Sequence, residues 1–564
     1  MKNRVCTILS LLTLLGFVLV FAQEKWHPFK LKPLAGVTFA TEKPELTLQS
    51  FASGQYQSQA EQYSRENFGF REWHIRLYNQ FNYSLFNLTT CHFIVPGKDG
   101  WLFYAEAFRD YYGIEPINQY KTYDRAREWA RKNVRMMNKL RYVLKDYGVE
   151  FLCFMAPNKA EVYSKYLPYH QSAPADAIHT AAYYDSLMTA IGFPHVEMTK
   201  WYEHMKDTAS FLLFPKRDTH WRYSAVFGYD SLFCYMNSLN NFGIPDIHID
   251  RLVKLDTMYP ENDEKTLNLV FPIGNDSPKY RADISVSPGR KPKVLFVGDS
   301  FIWDLETYMP WREILEEVEI WFYNKSAFVG FEKEKHPITE IDRLQSLLKA
   351  DYVVWYSSGY QWGLSSYDFV EDALLRLCVT DSLFEAQIPW VMDSLSNDAA
   401  FWQHHSQWRY AECRNDSLRR FAIKTLRDDP ELIPGLGGEA MPTIRNAQAI
   451  QIAQQANAID SDKQWKTALR IVASQTNRPY QEVLQQEVDN VINGRTLLRQ
   501  EVAVDTATIL QLEVEKLMNQ WRNNPESIKF LESKAQEQGK TFETVLEEDA
   551  RWVVNERLRN GELL

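Results

Sequence analysis

Four short apolar runs constrain the fold of this chain more than any other feature. They read EFLCFMAP (150–157), KVLFVGDS (293–300), EVEIWFYN (317–324) and DYVVWYSS (351–358). Apolar runs of this length are typical of strands that are buried on both faces, and amphipathic segments such as ITEIDRLQSLLKA (338–350) separate some of them. The pattern predicts an α/β domain whose parallel sheet is flanked by helices.

The N-terminus has the composition of an export signal. Lys2 and Arg4 precede CTILSLLTLLGFVLVFA (6–22), which contains no charge, and polar residues follow. This order predicts a signal peptide over residues 1–24. The apolar run also reaches the lower length limit of a membrane-spanning helix, so an uncleaved N-terminal anchor is the alternative. In either case the bulk of the chain is exported.

Composition excludes some classes of function. The net charge of -10 argues against non-specific nucleic-acid binding, because that activity requires patches of Lys and Arg. No CxxC or HExxH spacing occurs, so the sequence supplies no motif for a metal site. Five cysteines follow the N-terminal segment; an oxidising compartment allows one disulfide, with Cys378 and Cys413 as the candidate pair, and the odd count leaves at least one thiol unpaired.

The strand pattern ends near residue 365, which divides the chain into regions. Residues 25–365 form the predicted α/β domain, residues 366–430 a helical connecting segment and residues 431–564 a helical module. Within the module, ASQTNRPYQEVLQQEVDNVIN (473–493) aligns without gaps with AQEQGKTFETVLEEDARWVVN (535–555). This predicts two helical repeats, over about 463–493 and 525–555, that bury their apolar stripes against each other, the main domain or a partner.

Ser300 ends one of the buried runs, where ligand and catalytic groups of open α/β sheets gather. A serine requires a base and an acid to become a nucleophile. RDTHWRYSAVFGYD (217–230) provides Asp218 and His220 two positions apart, a spacing that places both side chains on one side of an extended segment. The alternative is structural, since Asp299 and Ser300 could both cap a helix.

The sequence resembles a known family at these residues. VGDSF (297–301) is similar to the nucleophile block of SGNH hydrolases, and Asp218-Thr-His220-Trp resembles the upstream block of their alginate O-acetyltransferase relatives. ENFGFREWHIRLYNQFNYSLF (66–86), the predicted hairpin VPGKDGWLFY (95–104) and MAPNKAEVYSKYLP (155–168) also resemble this branch. The resemblance covers roughly residues 60–360 and implies an SGNH-like fold.

The resemblance implies a triad of Ser300, His220 and Asp218 that moves an acetyl group through a serine ester to hydroxyls of an exported polysaccharide. It implies a periplasmic protein, either soluble or attached to the inner membrane, that receives acetyl groups from a membrane-bound O-acyltransferase. No metal or cofactor is required. The Ser300 N–H is the expected first oxyanion donor and Asn324, at the end of the next strand, the second.

Several side chains in or near the family-like blocks are candidates for binding the sugar chain. These are Trp101, Trp221, Trp303, Tyr356, Lys159 and Arg71. Aromatic rings suit stacking on sugar faces, and the two cations suit an anionic sugar. For both cations the alternative is a structural ion pair.

Three other functions fit the same sequence. An acetyl esterase would share the serine ester and differ only in accepting water. A polysaccharide-binding or assembly scaffold would have an inactive triad, with His220 far from Ser300. In the third interpretation the helical repeats carry the function and the α/β domain supports them.

Overall fold

The computed structural model describes residues 2–36, 41–113, 122–169, 179–258, 262–274, 277–364, 367–409, 413–495, 498 and 506–559. The chain divides into two compact units. The sheet unit comprises Met1–Asn138, Phe151–His336 and Tyr352–Asp368, and the helical unit comprises Lys139–Glu150, Pro337–Asp351 and Phe369–Leu564. The predicted fold class, an α/β domain with a helical C-terminal region, is confirmed.

The strands are short, apart from two that form a separate ribbon. They are β1 (Ile94–Pro96), β2 (Leu102–Tyr104), β3 (Glu150–Ala156), β4 (His195–Glu197), β5 (Ile247–Met258), β6 (Pro278–Val286), β7 (Lys293–Gly298), β8 (Glu317–Phe322), β9 (Ser326–Val329), β10 (Glu334–Pro337) and β11 (Tyr352–Ser358). Helices α1 to α13 begin in the sheet unit, and α6 continues past its boundary. They are α1 (Lys2–Trp26), α2 (Leu48–Ala52), α3 (Gln55–Asn67), α4 (Arg71–Phe86), α5 (Ala105–Tyr112), α6 (Tyr123–Lys145), α7 (Lys159–Val162), α8 (Thr180–Ile191), α9 (Thr199–Met205), α10 (Ala225–Asn240), α11 (Asn262–Thr266), α12 (Trp303–Tyr308) and α13 (Trp311–Ile314).

The central sheet has seven strands among the described residues, in the order β10-β9-β8-β7-β11-β3-β4. The four predicted strands are β3, β7, β8 and β11, and they are neighbours at its centre. β7 pairs in parallel with both β8 and β11, and β3 pairs in parallel with β4. β9 is antiparallel to β8 at one side of the sheet. The parallel core predicted from the sequence is therefore confirmed.

Gly298 permits the close pairing of β7 and β11 immediately before Ser300. A Cβ atom at this position would lie 1.8 Å from the carbonyl oxygen of Tyr356. Any side chain here would push the two strands apart at their carboxyl ends. The glycine therefore fixes the point from which the chain turns toward Ser300.

Two antiparallel strand pairs lie beside the main sheet. β1 and β2 form the predicted hairpin, in which Asp99 and Gly100 take left-handed backbone conformations at the turn. β5 and β6 form a longer ribbon, with Ile247 opposite Val286. The apolar side chains Ala282 and Ile284 of β6 pack against the core of the sheet unit.

The helical unit contains the remaining helices. They are α14 (Arg343–Lys349), α15 (Phe369–Cys378), α16 (Asp381–Asn397), α17 (Ala399–His404), α18 (Arg414–Asp428), α19 (Ala447–Ser461), α20 (Lys463–Thr476), α21 (Tyr480–Ile492), α22 (Thr506–Arg522), α23 (Pro525–Gln538) and α24 (Phe542–Arg559).

The internal repeat predicted from the sequence folds as two helix pairs, α20–α21 and α23–α24. In each copy one more helix packs against the pair, α19 in the first and α22 in the second. Equivalent side chains fill the two cores: Val483 and Leu484 are buried in one, Val545 and Leu546 in the other. The repeated unit is therefore three helices long, whereas the predicted ranges, about 463–493 and 525–555, each cover only two helices.

The disulfide prediction was wrong. Cys91, Cys153, Cys234, Cys378 and Cys413 are all free thiols. Cys378 is buried at the end of α15, whereas Cys413 precedes α18 and lies close to the hydroxyl of Ser417.

The N-terminal apolar segment lies within α1. In the parts of the chain that the structure describes, no helix is both long and apolar enough to cross a membrane. Those parts also hold no cluster of three or more His, Cys, Asp or Glu side chains suited to binding a metal ion.

Candidate active site

Ser300 lies at the carboxyl end of β7, at the start of the short 3-10 helix Ser300–Ile302. Its neighbour Asp299 fixes this turn. One carboxylate oxygen of Asp299 accepts a hydrogen bond from the N–H of Phe301 at 3.0 Å, and the other accepts from the N–H and the hydroxyl of Ser358, both at 2.8 Å. Asp299 therefore caps the turn and ties it to the end of β11.

His220 is hydrogen-bonded to Ser300. The distance from His220 Nε2 to Ser300 Oγ is 2.8 Å. The other ring nitrogen, Nδ1, lies 3.2 Å from Oδ1 of Asp218, and the same oxygen accepts from the backbone N–H of His220 at 3.0 Å. The structure thus brings the three residues named from the sequence into one chain of hydrogen bonds.

Arg222 and Asp304 extend this chain, and the sequence analysis missed both. The Arg222 guanidinium donates to Oδ2 of Asp218 from Nη2 at 2.6 Å and from Nε at 3.1 Å. Its backbone N–H donates to the buried carboxylate of Asp304 at 3.1 Å. A pair of hydrogen bonds from one guanidinium holds the second carboxylate oxygen of Asp218, so the first remains directed at His220. The Asp-x-His-x-Arg spacing is the signal that could have identified Arg222.

The surroundings of Asp218 and His220 shift the pKa values of both side chains. Burial alone would raise the pKa of Asp218, but the hydrogen bond with His220 and the charge of Arg222 outweigh it and hold that pKa at about 2. Burial alone would lower the pKa of His220, but the hydrogen bond and charge of Asp218 raise it above its ordinary value. Asp218 is therefore ionised at neutral pH, ready to stabilise a protonated His220.

Lys159 fastens three segments of backbone behind the triad. Its buried ammonium donates to the carbonyl oxygens of Leu102 at 2.8 Å and of Lys216 and Asp218, both at 2.9 Å. It also lies 5.3 Å from the ring of Trp101. This contradicts the prediction that Lys159 binds sugar, because its hydrogen-bonding capacity serves to position the segment that carries Asp218.

Three of the predicted sugar-stacking residues were also wrong. Trp101, Trp221 and Tyr356 are each at most 1% exposed, so their rings cannot contact a ligand on the surface. The hydroxyl oxygen of Tyr356 instead lies 3.1 Å from the hydroxyl oxygen of Tyr229. These aromatic side chains are core residues beneath the site, which local sequence patterns do not distinguish from residues lining a cleft.

Trp303 and Arg71 are half-buried, and their role in substrate binding remains a prediction. Trp303 packs against Phe322 and Phe328, whereas Arg71 begins α4.

Tyr323 contacts Ser300, and Asn324 is engaged elsewhere. Burial, with the charge of Asp299 adding to the effect, raises the pKa of the Tyr323 hydroxyl, while the nearby Ser300 opposes that rise. Tyr323 has a left-handed backbone, φ 51°, which a bulky side chain adopts only when its surroundings impose it. The side-chain nitrogen of Asn324, the predicted oxyanion donor, donates instead to the carbonyl of Tyr367 at 2.8 Å.

A cavity of about 600 Å³ borders the triad on the side of Asp218 and Arg222. β6 and the end of α12 form most of its wall, and the half-buried rings of Tyr280 and Tyr308 are exposed to it. The other lining residues are Leu255, Lys279, Arg281, Ala282, Ile284, Thr307, Met309 and Pro310. Its size and its mixture of aromatic, apolar and polar walls are those of a ligand-binding cleft.

Comparison with solved structures finds several similar chains. The O-acetyltransferase domain of Pseudomonas putida AlgJ is 17% identical, with 48% of this chain and 92% of that chain covered and a TM-score of 0.33. Pseudomonas aeruginosa AlgX is 13% identical, with 51% and 67% covered and a TM-score of 0.31. Bacillus cereus PatB1, solved with a sulfonyl adduct, is 14% identical, with 49% and 98% covered and a TM-score of 0.32.

Comparison with curated proteins finds no match, whereas a family model does match. Residues 94–231 match the model described as SGNH hydrolase-like domain, acetyltransferase AlgX. The match runs from the β1–β2 hairpin into α10 and includes Asp218, His220 and Arg222. The resemblance to this acetyltransferase family that was stated from the sequence is therefore confirmed over residues 94–231.

Proposed function

We propose that this chain is a serine O-acetyltransferase that acetylates hydroxyls of an exported polysaccharide. One observation carries the proposal: His220 Nε2 lies 2.8 Å from Ser300 Oγ, while its other ring nitrogen faces Asp218. This is the arrangement in which an imidazole activates a hydroxyl. The inactive-scaffold alternative requires His220 to lie far from Ser300 and does not fit this distance.

In the first half-reaction, Ser300 Oγ attacks the acetyl carbonyl of the donor and passes its proton to His220. The tetrahedral intermediate collapses to an acetyl ester on Ser300, and His220 returns the proton to the leaving group. Asp218 stabilises the imidazolium throughout. We assign the Ser300 N–H and the Tyr323 hydroxyl as donors to the oxyanion, because both adjoin Ser300 Oγ.

In the second half-reaction, a sugar hydroxyl attacks the ester and gives its proton to His220, and Ser300 leaves with that proton restored. The cavity beside Asp218 and Arg222 is the proposed acceptor site, where Tyr280 and Tyr308 offer rings to a sugar face. The proposed setting is the periplasm, with a membrane-bound O-acyltransferase as the acetyl source.

The test is the acetylated enzyme. The purified chain is incubated with 4-nitrophenyl acetate and its intact mass is measured, together with Ser300→Ala, His220→Ala and the control Ser238→Ala, a substitution on the exposed face of α10. We expect one acetyl adduct in the wild type and control, none in Ser300→Ala, and formation slowed about 10²-fold or more in His220→Ala. An adduct of equal yield in Ser300→Ala would refute the proposal. Added oligosaccharides then separate transfer from hydrolysis.

A further inference from the structure

The second helical repeat contains a cavity where the first repeat contains a tryptophan side chain. The cavity has a volume of about 340 Å³ and is lined by Trp521, Ser527, Phe530, Leu531 and Asp549. It lies between α22, α23 and α24, within one repeat of the helical unit.

Each lining residue has a counterpart in the first repeat, 62 positions earlier. In the same order, the counterparts are Ile459, Trp465, Ala468, Leu469 and Glu487. Ser527 therefore stands where the first repeat has Trp465.

The backbone confirms that Trp465 and Ser527 hold equivalent positions. The N–H of Trp465 donates to the side chain of Asp462 at 2.9 Å, and the N–H of Ser527 donates to the side chain of Asn524 at 3.3 Å. Asp462 and Asn524 are themselves 62 positions apart and each precedes its helix. The two repeats thus begin their middle helices in the same way and differ in the side chain that follows.

In the first repeat, Trp465 fills the space between the helices. Its ring packs against the core formed by residues that include Leu469 and Val483. Its indole Nε1 donates to Glu487 at 2.6 Å. Trp465 therefore combines a half-buried apolar ring, packed between helices, with one hydrogen bond to a carboxylate.

The second repeat retains the partners of this ring without the ring itself. Asp549 stands in place of Glu487, and Trp521 and Leu531 supply an apolar wall. Asp549 also binds Lys534 through both carboxylate oxygens at 2.7 Å, yet a carboxylate has about four acceptor positions and can accept a further N–H. Phe530 is 65% exposed and lies at the cavity, where it can cover an inserted ring.

We propose that this cavity binds a tryptophan side chain presented by a partner protein. The inserted indole would occupy the place that Trp465 occupies in the first repeat and donate its N–H to Asp549. A cavity of about 340 Å³ is ample for an indole, since an engineered cavity of about 150 Å³ accommodates benzene. The helical unit is therefore a docking module for an aromatic anchor, independent of acetyl transfer.

The experiment uses the full chain and N-acetyl-5-fluorotryptophanamide, observed by ¹⁹F NMR. We expect saturable binding with a dissociation constant of roughly 0.1–1 mM, the affinity typical of a single small anchor. Ser527→Trp places an indole ring of the chain itself in the cavity. This variant should therefore abolish binding and raise the midpoint of thermal unfolding. The matched control Ser533→Trp, on the exposed part of the same helix, should leave binding unchanged.

The reciprocal variant Trp465→Ser opens the equivalent cavity in the first repeat and should add a second binding site. Because that variant loses core packing, Ser527→Trp remains the decisive test. Failure of the wild type to bind, or equal binding by Ser527→Trp, would overturn the proposal. Concentration-dependent self-association that Ser527→Trp abolishes would show that a second copy is the occupant and would overturn the choice of a partner protein.

Discussion

At the scale of single residues, the proposed catalytic chain depends on the partners that the two carboxylate oxygens of Asp218 bind. One oxygen faces His220 and the other is held by Arg222, which also contacts Asp304. Because His220 approaches Ser300 through its remaining nitrogen, any change at Arg222 is transmitted to the serine through three successive hydrogen bonds, by way of Asp218 and His220. Arg222 is thus a positioning residue whose effect is measurable as a change in the acid-base behaviour of His220.

We predict that Arg222→Gln moves the pH profile of Ser300 acetylation to higher pH. His220 must be neutral to accept the serine proton, so the rate rises as pH passes its pKa, which Asp218 raises above the ordinary value. The positive charge of Arg222 opposes that rise, so its removal should shift the midpoint to higher pH. The measurement is the rate of adduct formation between pH 5 and 9.

Arg251→Gln is the control for this prediction, because Arg251 lies on the exposed ribbon and pairs with Asp283. An unchanged midpoint in Arg222→Gln, with a lower plateau only, would show that Arg222 acts on geometry alone.

The sequence indicated the hydrogen-bonded residues Asp218, His220 and Ser300 better than the residues around them. Asp218 and His220 are close in sequence, and Ser300 ends a strong strand, so their local patterns carry the signal. Tyr323 was missed because its proximity to Ser300 arises from the pairing of β7 with β8, which local sequence patterns do not reveal. Trp101 and Trp221 were misassigned because sequence does not reveal whether an aromatic ring lies in the core or in a cleft.

At the scale of elements, the β5–β6 ribbon connects the fold to the proposed acceptor. Residues of β6 pack on the core through one set of side chains, and β6 also lines the cavity beside Asp218. Tyr280 is central to this arrangement, because its ring lies 4.7 Å from that of Tyr223 and borders the cavity. The ribbon is thus packed on the core through β6 and presents Tyr280 to the proposed acceptor cavity.

We predict that Tyr280→Ala weakens the acceptor step and spares the acylation step. Loss of the ring should raise the KM for cellohexaose or an oligouronate, whichever is acetylated, by about tenfold. The rate of acetyl adduct formation from 4-nitrophenyl acetate should stay within twofold. Tyr169→Ala, at a tyrosine that is 91% exposed, serves as the control. An unchanged acceptor KM in Tyr280→Ala would exclude this cavity as the acceptor site.

The elements that the sequence predicted are those with continuous or repeated apolar patterns. β3, β7, β8 and β11 are buried and therefore apolar along most of their length. β4, β9 and β10 have three or four residues each, which is too short for an alternating apolar pattern to be recognised in the sequence. The first helix of each repeat was missed because Ala456 and Ile459 of α19 correspond to the larger Met518 and Trp521 of α22, so the two sequences do not look alike.

At the scale of the whole molecule, the fold raises the pKa values of two half-buried acids, Glu161 and Asp263. Burial raises the pKa of Glu161 to about 8, with the charge of Asp110 adding to the effect. Burial, together with the charge of Asp218, raises the pKa of Asp263 to about 7. Because these carboxyl groups bind protons more tightly when folded than when unfolded, their contribution to stability is complete at acidic pH and is lost as pH rises through the folded pKa.

We predict that Glu161→Gln makes the free energy of unfolding less dependent on pH between about 5 and 8. The amide is always neutral, so the variant avoids the cost of ionising a buried acid and should exceed the wild type by about 1–3 kcal/mol at pH 8. At pH 5 the two proteins should differ little, since Glu161 is protonated when folded. Guanidinium unfolding at pH 5, 6.5 and 8 provides the measurement, with the exposed Glu532→Gln as control. A difference between wild type and Glu161→Gln that is constant across this range would show that Glu161 stays ionised in the folded chain.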